Sequence, residues 1–584
     1  MSKRSIPINQ TEDGSNLKQQ VSEDEKATLL FNPKLWTQDF KNQMKDTILN
    51  NKPFQWGCID DLVDDQLLRD VRNEIETQIQ FTEKETDIYK VNQSGDLANL
   101  SKLDSETLQK LPNLFKLQQI LYSKKFRDFM SYITQSGPLS HSKVDLSVNI
   151  YKKGCHLLVH DDVIGSRRIS FIIYLPDPSR KWKDHYGGGL RLFPTVDYNI
   201  PHSDHIAKLV PQFNQFAFFK IQPGYSWHDV EEVKVDKYRL SIQGWYHIPQ
   251  ENDSDGFIPG EEANWIKQNE SLAYTDLTPF TFPKPECPLI DSNVLADAIG
   301  TYNNNNNTKT FLTSNDIEFL SNYLSPHYLN PDTIENLKDN FFNSSFISLD
   351  NFLNKEKSDL LQKMIKFNEL NKQTPISMEQ VSPPWELARP PHKWQFLYLE
   401  DMDKDQTNGA TAITEDDEMT TELDKLRHFF KSDTFKKYIL EITNLVVVTE
   451  QVLVRRFRPG FDYTLAETLD INKIVDDLLD CVLEGTLSLT PFDGWDDGNN
   501  GGYQLYMLNE ADLREDQVSG NDAILINKPA SWNSFLLVMR DVDVLEFIKF
   551  VGFNSKGSRW DIKMSWNVKD LEGEEDEEET NEQK

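Results

Sequence analysis

Short apolar runs recur along the first half of the chain. They read VDLSVNIY, RISFIIYL, GLRLF, QFAFFKI and YRLSIQGWYHI, and clusters of Gly, Pro and Asp separate them. Runs of this length between turn residues are typical of β-strands, and helical spacing precedes them rather than alternating with them. The pattern therefore predicts a mostly β protein with flanking helices, whose strands form a double-stranded β-helix, or jelly roll.

The same order of elements is repeated in the second half. KLQQILYSKKFRDFMSYIT (116–134) aligns without gaps with KLRHFFKSDTFKKYILEIT (425–443), and six of nineteen positions are identical. A strand-like stretch follows each helix, and GGGLRLF (187–193) later matches GGYQLYM (501–507). Because the matches occur in the same order, the sequence predicts a duplicated domain and hence two tandem jelly rolls.

Polar stretches set the expected domain boundaries. The polar composition of residues 1–25 predicts a disordered N-terminus. Residues 251–310, which include a run of five Asn, are predicted to form a linker. We therefore expect one domain over residues 26–250 and a second over residues 311–568. The remaining residues, 569–584, are rich in Asp and Glu and predict a solvated acidic tail.

Charge and cysteine content narrow the class of protein. The formal net charge of −32 argues against general binding of nucleic acid and suits a basic protein partner. The four cysteines are isolated, which favours free thiols in a reducing compartment. No apolar run reaches the length of a membrane span, and the N-terminus lacks the apolar core of a signal peptide. We expect a protein of the nucleus and cytoplasm.

Polar side chains stand directly before one of the predicted strands, in YKKGCHLLVHDDVIGSRRISFIIYLPD (151–177). In an extended segment residues i and i+2 point to the same side, so His160 and Asp162 are placed to face one ion. His202 and Asp204 have the same spacing, but they lie in the polar stretch DYNIPHSDH, which reads as a loop. An H-x-D tripeptide alone is weak evidence, and context favours the first one.

A third ligand is available in PGYSWHDVEEVKVDKYRLSIQGWYH, where His228 follows His160 by sixty-eight residues. That interval holds three or four predicted strands, enough for the chain to cross a jelly roll and return. Two His and one carboxylate on one face of an ion leave further positions open, an arrangement that suits Fe(II) and oxygen chemistry. A structural zinc site is more often closed by four protein ligands.

A candidate carboxylate-binding group lies just beyond His228. Arg239 begins the next predicted strand, and its guanidinium fork matches a carboxylate through two hydrogen bonds. Ser241 shares its face and offers a further hydrogen bond. Tyr174 and Tyr151 are candidates to donate to the same carboxylate, and the alternative for each is an ordinary aromatic residue of the core.

The motif set resembles the 2-oxoglutarate- and Fe(II)-dependent oxygenases. YKKGCHLLVHDD, IIYLPD, GGGLRLF and SWHDVEEV with the later YRLSIQGW are similar to the prolyl-hydroxylase branch. The duplicated layout, the acidic stretch at 400–422 and QPGYSWHDVEEV resemble the fungal and animal prolyl 3-hydroxylases of a small-subunit ribosomal protein. The fungal members are described as termination and polyadenylation factors. The resemblance extends from about residue 25 to residue 568.

The resemblance implies a mechanism and its cofactors. Fe(II) would bind His160, Asp162 and His228, and 2-oxoglutarate would chelate it while Arg239 and Tyr174 hold the far carboxylate. Ascorbate would serve as an accessory reductant. The cofactor chemistry would hydroxylate a prolyl ring, and the protein would position and shield the reacting groups.

The resemblance also implies a substrate and partners. The substrate proline would lie in a decoding-centre loop of a basic small-subunit ribosomal protein and would receive one hydroxyl or two, at carbon 3 or at carbons 3 and 4. The modification would affect the accuracy of translation termination. Termination factors and proteins that bind mRNA tails are the further partners that the family implies.

The second copy lacks the residues of an iron site. Aligning YKKG with FRPG places Ala466 opposite His160 and Thr468 opposite Asp162, and no His follows His428. Arg559, in GSRWDIKMSW, is the counterpart of Arg239. The sequence therefore predicts a non-catalytic oxygenase-like second domain, which braces the first or binds substrate or partners.

Two other interpretations remain open on sequence alone. The first alternative is a non-enzymatic scaffold of two jelly rolls in translation or mRNA complexes, and the second is an oxygen-sensing hydroxylase that acts on a transcription regulator. Binding of iron and 2-oxoglutarate separates the scaffold from either enzyme, because a scaffold needs neither.

Overall fold

The structure is a computed structural model that describes residues 28–94, 109–253, 255–272, 276–284, 289, 302, 310–400, 415–469, 479–509 and 523–571. The predicted disordered N-terminus, most of the predicted acidic tail and much of the predicted linker lie outside the described residues. No helix in the described part of the chain is long and apolar enough to cross a membrane.

In the described residues, ten helices flank the strands: α1 Gln38–Asn50, α2 Asp65–Gln78, α3 Pro112–Leu121, α4 Lys124–Thr134, α5 Glu261–Leu272, α6 Ser314–Ser321, α7 Pro331–Ser344, α8 Lys355–Asn371, α9 Glu415–Phe430 and α10 Asp433–Thr443.

In the part of the chain that the structure describes, the first thirteen strands are β1 Trp56–Asp60, β2 Thr82–Glu85, β3 Tyr89–Gln93, β4 Val144–Tyr151, β5 His156–His160, β6 Arg167–Tyr174, β7 Leu190–Leu192, β8 Thr195–Asp197, β9 Ile200–Pro201, β10 Ala207–Leu209, β11 Gln215–Lys220, β12 His228–Val230 and β13 Arg239–His247. The second thirteen are β14 Phe346–Asp350, β15 Trp385–Leu387, β16 Trp394–Gln395, β17 Leu397–Leu399, β18 Leu445–Val447, β19 Gln451–Phe457, β20 Tyr463–Thr464, β21 Cys481–Leu489, β22 Gln504–Leu508, β23 Ile524–Lys528, β24 Trp532–Asp541, β25 Val544–Ile548 and β26 Arg559–Asp570.

One curled antiparallel sheet forms the first half. Its order is β1-β11-β6-β13-β4-β3-β5-β12-β7-β10, with β2 paired to β3. The strands β1, β11, β6, β13 and β4 make one layer. The sheet then turns through β3 into a second layer that carries β5, β12 and β7. Two antiparallel layers joined in this way form a double-stranded β-helix, which confirms the predicted fold class.

The second half repeats this arrangement. The order β14-β24-β21-β26-β19 corresponds strand for strand to β1-β11-β6-β13-β4, and β23-β22-β25 corresponds to β10-β7-β12. The repeated strand order agrees with the duplication that the colinear motifs predict.

The helical segment that precedes the sheet is interrupted in both halves. The 116–134 stretch falls in two helices, α3 and α4, and its counterpart falls in α9 and α10. Ser123 accepts a hydrogen bond from Phe126 N, and Ser432 accepts one from Phe435 N, so each serine caps a new helix. The serine is one of the six positions identical between the copies, so the break is part of the repeated unit.

The main core of each half lies between these helices and the outer face of the larger layer. In the first half it is rich in aromatic residues, and in the second half the corresponding cluster joins α9 and α10 to β21, β24 and β26. Packing against helices leaves the opposite face of that layer to line the interior of the jelly roll. The candidate site lies in this interior.

Candidate active site

The strands β5 and β12 bring the two predicted histidine ligands together. His228 pairs with His160 and Val230 pairs with Leu157, so Asp229 opposes two residues of β5. Such a β-bulge re-aims the side chains beside it. As a result Leu157 and His160 both line the cavity inside the jelly roll, while Leu158 and Val159 line a different cavity on the outer side.

Asp162 reaches the same point by a route that differs from the expected one. The strand β5 ends at His160, and Asp162 has a φ of +60°, in the left-handed region. The extended backbone assumed from the i, i+2 spacing is therefore wrong at this residue, although the two side chains do converge. Asp is one of the few residues other than Gly that adopt this conformation readily.

The three side chains form one compact cluster. Their ligand atoms all lie within 4.8 Å of one another. His160 Nε2 is 3.5 Å from Asp162 Oδ1, and His228 Nε2 is 3.6 Å from Asp162 Oδ2. Across the described residues, no other group of His, Cys, Asp or Glu has this geometry.

Backbone carbonyls fix the orientation of both imidazoles. His160 Nδ1 lies 2.8 Å from the carbonyl of Leu158, and His228 Nδ1 lies 2.8 Å from the carbonyl of Ser226. A carbonyl only accepts, so each Nδ1 carries the proton and each Nε2 keeps a lone pair. Both free nitrogens point at the common centre, as a metal ligand requires.

The protonation states of His228 and Asp162 also suit a metal. Burial, together with the nearby His160, lowers the pKa of His228 to about 3, so this ring is neutral at physiological pH. Burial opposes ionisation of Asp162, but the contacts with His160 and His228 outweigh it and hold its pKa far below the usual range. Burial also disfavours the charged form of His160, yet the neighbouring Asp162 raises its pKa.

The carboxylate of Asp162 is held by two residues that the sequence analysis did not identify. Trp245 Nε1 donates to Asp162 Oδ2 at 3.0 Å, and Arg167 Nη1 lies 3.9 Å from Asp162 Oδ1. The Arg167 guanidinium stacks 3.6 Å from the centre of the Trp245 ring. The signal was available, because Trp245 is six residues after Arg239 on the same strand and so shares its face.

Arg239 opens β13 and is 1% exposed. Its Nη1 donates to the carbonyl of Gly188 at 3.1 Å. Gly187, with a φ of +74°, allows that loop to approach, since a Cβ there would lie 1.9 Å from the carbonyl oxygen of Glu232. The loop therefore holds the guanidinium through Nη1, while Nε is left without a hydrogen-bond partner among the described residues.

The other predicted carboxylate-binding residues surround this guanidinium. Its centre lies 4.5 Å from the Tyr151 ring and 5.0 Å from the Tyr174 ring, and Ser241 pairs with Tyr174 across the strands. Burial raises the pKa of Tyr174 to about 12 and also raises the pKa of Tyr151, so both hydroxyls keep their protons. The structure thus brings all four predicted residues to one place.

Orphaned polar atoms mark this place as a ligand pocket. Arg239 Nε, Tyr174 Oη and Ser241 Oγ are buried, and among the described residues none of them has a hydrogen-bond partner. Leaving such groups unpaired costs free energy, which a carboxylate bound between them would offset. The residues present therefore fit both Fe(II), through two imidazoles and a carboxylate, and the distant carboxylate of 2-oxoglutarate.

Two family models match the chain. Residues 146–247 match the 2OG-Fe(II) oxygenase superfamily, and residues 315–576 match the oxoglutarate and iron-dependent oxygenase degradation C-term family. Prolyl 3,4-dihydroxylase OGFOD1 of Ostreococcus tauri is 29% identical over 537 residues, which is 90% of this chain and 96% of that protein. The chain is a homologue of 2-oxoglutarate- and Fe(II)-dependent prolyl hydroxylases. This relationship confirms the family resemblance, the oxygenase class and the requirement for Fe(II) and 2-oxoglutarate.

Animal relatives match about a third of the chain. Prolyl 3-hydroxylase sudestada1 of Drosophila melanogaster is 31% identical over 219 residues, which is 36% of this chain and 38% of that protein. Prolyl 3-hydroxylase OGFOD1 of Mus musculus is 33% identical over 204 residues, 34% of each chain. The need for ascorbate stays a prediction.

In the oxygenase the second jelly roll carries glutamates where the first has histidines. Gly501 approaches the carbonyl oxygen of Phe550 as Gly187 approaches that of Glu232, which makes Glu546 the counterpart of His228. A bridge joins Glu467 to Glu546, as β5 and β12 join His160 to His228. Glu467, and not Ala466, is therefore opposite His160, one residue from the position that the sequence alignment predicts.

Proposed function

We propose that this oxygenase hydroxylates a proline residue of a protein, with iron held by His160, Asp162 and His228. The observation that carries the proposal is the convergence of these three side chains beside an internal cavity. The names of the relatives support the choice of proline as the target, since each of them is a prolyl hydroxylase.

The chain's own residues prepare the cofactors. His160 and His228 would hold the iron through their Nε2 atoms and Asp162 through its carboxylate, and such a ligand set would leave positions on the ion open for 2-oxoglutarate and dioxygen. Arg239 would bind the far carboxylate of 2-oxoglutarate, and the hydroxyls of Tyr174 and Ser241 would donate hydrogen bonds to it. Tyr151 packs against the guanidinium, whose centre lies 4.5 Å from that of its ring.

When iron, 2-oxoglutarate and dioxygen are bound, they supply the oxidising power, and 2-oxoglutarate leaves as succinate and carbon dioxide. The role of the protein is to place the prolyl ring near that centre and to exclude water. Apolar side chains do so around the cavity: Tyr89, Val91, Leu157, Ile172, Leu190, Phe219 and Val230. Trp245 and Arg167 hold the metal-binding carboxylate in place.

The proposed substrate is a basic small-subunit ribosomal protein, modified on a proline of its decoding-centre loop. The net charge of −32 supports attraction between this enzyme and a basic protein. The names of the relatives support attack at carbon 3, and one of them supports a second hydroxylation at carbon 4. Such an enzyme would act in the nucleus and cytoplasm and would affect translation termination, together with termination and mRNA-tail-binding factors.

The test is to incubate the full chain with Fe(II), 2-oxoglutarate and the ribosomal loop peptide, with and without ascorbate, and to measure the peptide by mass spectrometry. We expect a gain of one or two oxygen atoms on proline, with one succinate formed for each. His160→Ala should abolish the gain. A peptide from a transcription regulator serves as the comparison, and its modification in place of the ribosomal peptide would contradict the proposed substrate.

A further inference from the structure

The second half of the chain covers the outer side of the strands that carry the candidate metal ligands. The bulge in β5 turns Leu158 and Val159 outward, immediately before His160. On that side Leu158 packs in a cluster with Tyr463 and Phe550, both from the second half. The Phe550 ring also lies 4.3 Å from that of His156, at the start of β5. The second half therefore covers the irregular part of the strand.

A second contact covers the segment that leads into β12. The Trp227 ring stacks on the ring of His392, from the second half, with their centres 4.7 Å apart and their planes at 29°. Trp227 lies between Ser226 and the candidate ligand His228 in the sequence. Ser226 Oγ also donates to the carbonyl of Asp161 at 2.9 Å, which joins this segment to the one that carries Asp162.

These contacts bear on the groups that aim the imidazoles. The carbonyl of Leu158 holds Nδ1 of His160, and the carbonyl of Ser226 holds Nδ1 of His228. The second half packs on Leu158 itself and on Trp227, which adjoins Ser226. If either segment shifts, its backbone carbonyl shifts with it, and the imidazole that is hydrogen-bonded to that carbonyl turns away from the metal position. Metal affinity therefore depends on these outer contacts.

We propose that Phe550, Tyr463 and His392 of the second half are positioning residues for the iron centre of the first half. The proposal rests on the metal site given above, and it assigns to the non-catalytic half a defined task in forming that site. Phe550 and Tyr463 hold the bulge of β5, and His392 holds the Trp227 segment. None of the three lines the internal cavity beside the candidate metal ligands.

Metal affinity of the full chain is the direct test, with Co(II) as the probe because its binding is followed by absorption without oxygen chemistry. Phe550→Ala removes the contact with the bulge and should weaken Co(II) binding about tenfold, the range found when outer contacts of ligands are removed. His392→Ala should weaken it several-fold. Phe550→Leu, which keeps an apolar side chain on Leu158, should retain most of the affinity.

A matched control lies three residues away. Phe553 also contacts the first half, with Lys234 Nζ 4.7 Å from the centre of its ring, but it does not belong to the cluster around the bulge. Phe553→Ala should leave Co(II) affinity unchanged. Near-ultraviolet circular dichroism of each metal-free variant establishes that it is folded, and His392→Ala, a partly exposed position, keeps the test open if Phe550→Ala fails to fold.

The outcomes separate this inference from the proposed metal site. If His160→Ala abolishes Co(II) binding but folded Phe550→Ala and His392→Ala bind as tightly as the parent chain, the positioning role is overturned and the metal site stands. If His160→Ala binds Co(II) with unchanged affinity, the metal site itself is wrong. If Phe553→Ala weakens binding as much as Phe550→Ala, the effect is general to the domain interface and the specific role is overturned.

Discussion

The two jelly rolls keep the same arginine and use it for different purposes. Arg239 and Arg559 both open the corresponding strand, and each donates through Nη1 to a glycine carbonyl, Gly188 or Gly502. Arg239 Nε has no partner among the described residues, whereas Arg559 donates through both Nε and Nη2 to the carboxylate of Asp561. The first arginine is left available for a ligand, and the second is neutralised from within the fold.

The neighbouring positions show how the second pocket is filled. Ser241 pairs with Asn149 in the first half, and their counterparts Asp561 and Arg455 form an ion pair with a 2.7 Å contact. Asp561 is 1% exposed and lies between two guanidinium groups. The second half thus holds its own carboxylate where the first offers space to a dicarboxylate. An arginine kept at this position therefore indicates a carboxylate-binding site only when no carboxylate of the protein itself is paired with it.

The largest expected effect on the KM for 2-oxoglutarate comes from placing an aspartate at position 241, where the second half has Asp561. Ser241→Asp places a carboxylate two residues from Arg239 on the same face, where it would occupy the guanidinium as Asp561 occupies Arg559. We expect the KM for 2-oxoglutarate to rise about 1,000-fold, because the cosubstrate would lose its ion pair and face a like charge. Succinate formation against 2-oxoglutarate concentration measures this.

Ser241→Asn is the control for size without charge, and it should raise KM far less. Co(II) affinity should stay near that of the parent chain in both variants, since neither touches the histidines. Equal KM values for the Asp and Asn variants would show that charge is not the reason for the difference between the two halves.

Substituting the two arginines gives the next largest expected difference in the KM for 2-oxoglutarate. Arg239→Ala removes the charged partner of the cosubstrate and should raise KM for 2-oxoglutarate by two to three orders of magnitude, the range for truncating one member of a buried charge pair. Arg559→Ala should leave that KM unchanged. Its expected consequence is a lower free energy of unfolding, because Asp561 loses one of its two cations. A large KM change in folded Arg559→Ala would contradict the assignment of a purely structural role.

The interface offers a comparison that depends on pH. Glu232 accepts a hydrogen bond from Phe553 N at 2.7 Å, and burial raises its pKa to about 7. The folded protein therefore binds more protons than the unfolded chain between about pH 4.5 and pH 7, so this carboxyl reduces stability as pH rises through that window. Glu232→Gln should be about as stable as the parent at pH 5 and more stable at pH 8, by at most about 3 kcal/mol.

The adjacent Glu231 provides the control of opposite sign. Burial would raise its pKa, but Arg191 and the lysines Lys208 and Lys234 outweigh it and lower the pKa. Glu231→Gln should therefore destabilise the protein at neutral pH, and the loss should fade as pH falls through the acid range. Thermal unfolding at pH 5 and pH 8 measures the Glu232→Gln difference, and a series that continues below about pH 4.5 measures the fading of the Glu231→Gln difference. A Glu232→Gln difference that is the same at both pH values would exclude the linkage.

Much of this architecture could be predicted from the sequence, because it rests on local signals. The apolar runs became β4, β6, β7, β11 and β13, and the colinear matches became the same strand order in both halves. The serine at the same place in both aligned stretches is a visible helix-capping signal, yet the apolar spacing that continues across it predicts one helix instead of two.

The finer geometry of the site depends on partners that are distant in sequence. The bulge at Leu158 and Val159 exists only relative to β12, about seventy residues later. For the same reason, an alignment anchored on the motifs before the bulge placed Ala466 instead of Glu467 opposite His160. The contacts of Phe550 and His392 depend on how the two halves pack, which no periodicity within one half records.

The smallest expected effect concerns Trp245, whose counterpart in the second half is Ser565, because β13 and β26 align from Arg239 and Arg559. Trp245→Phe keeps a ring beneath the Arg167 guanidinium but removes the hydrogen bond to Asp162 Oδ2. We expect Co(II) affinity to fall about tenfold, close to the value of one hydrogen bond to a buried charged group. The KM for 2-oxoglutarate should hardly change, because Arg239 and its neighbours are untouched. An unchanged Co(II) affinity would show that Arg167 and the two histidines alone are enough to orient the carboxylate.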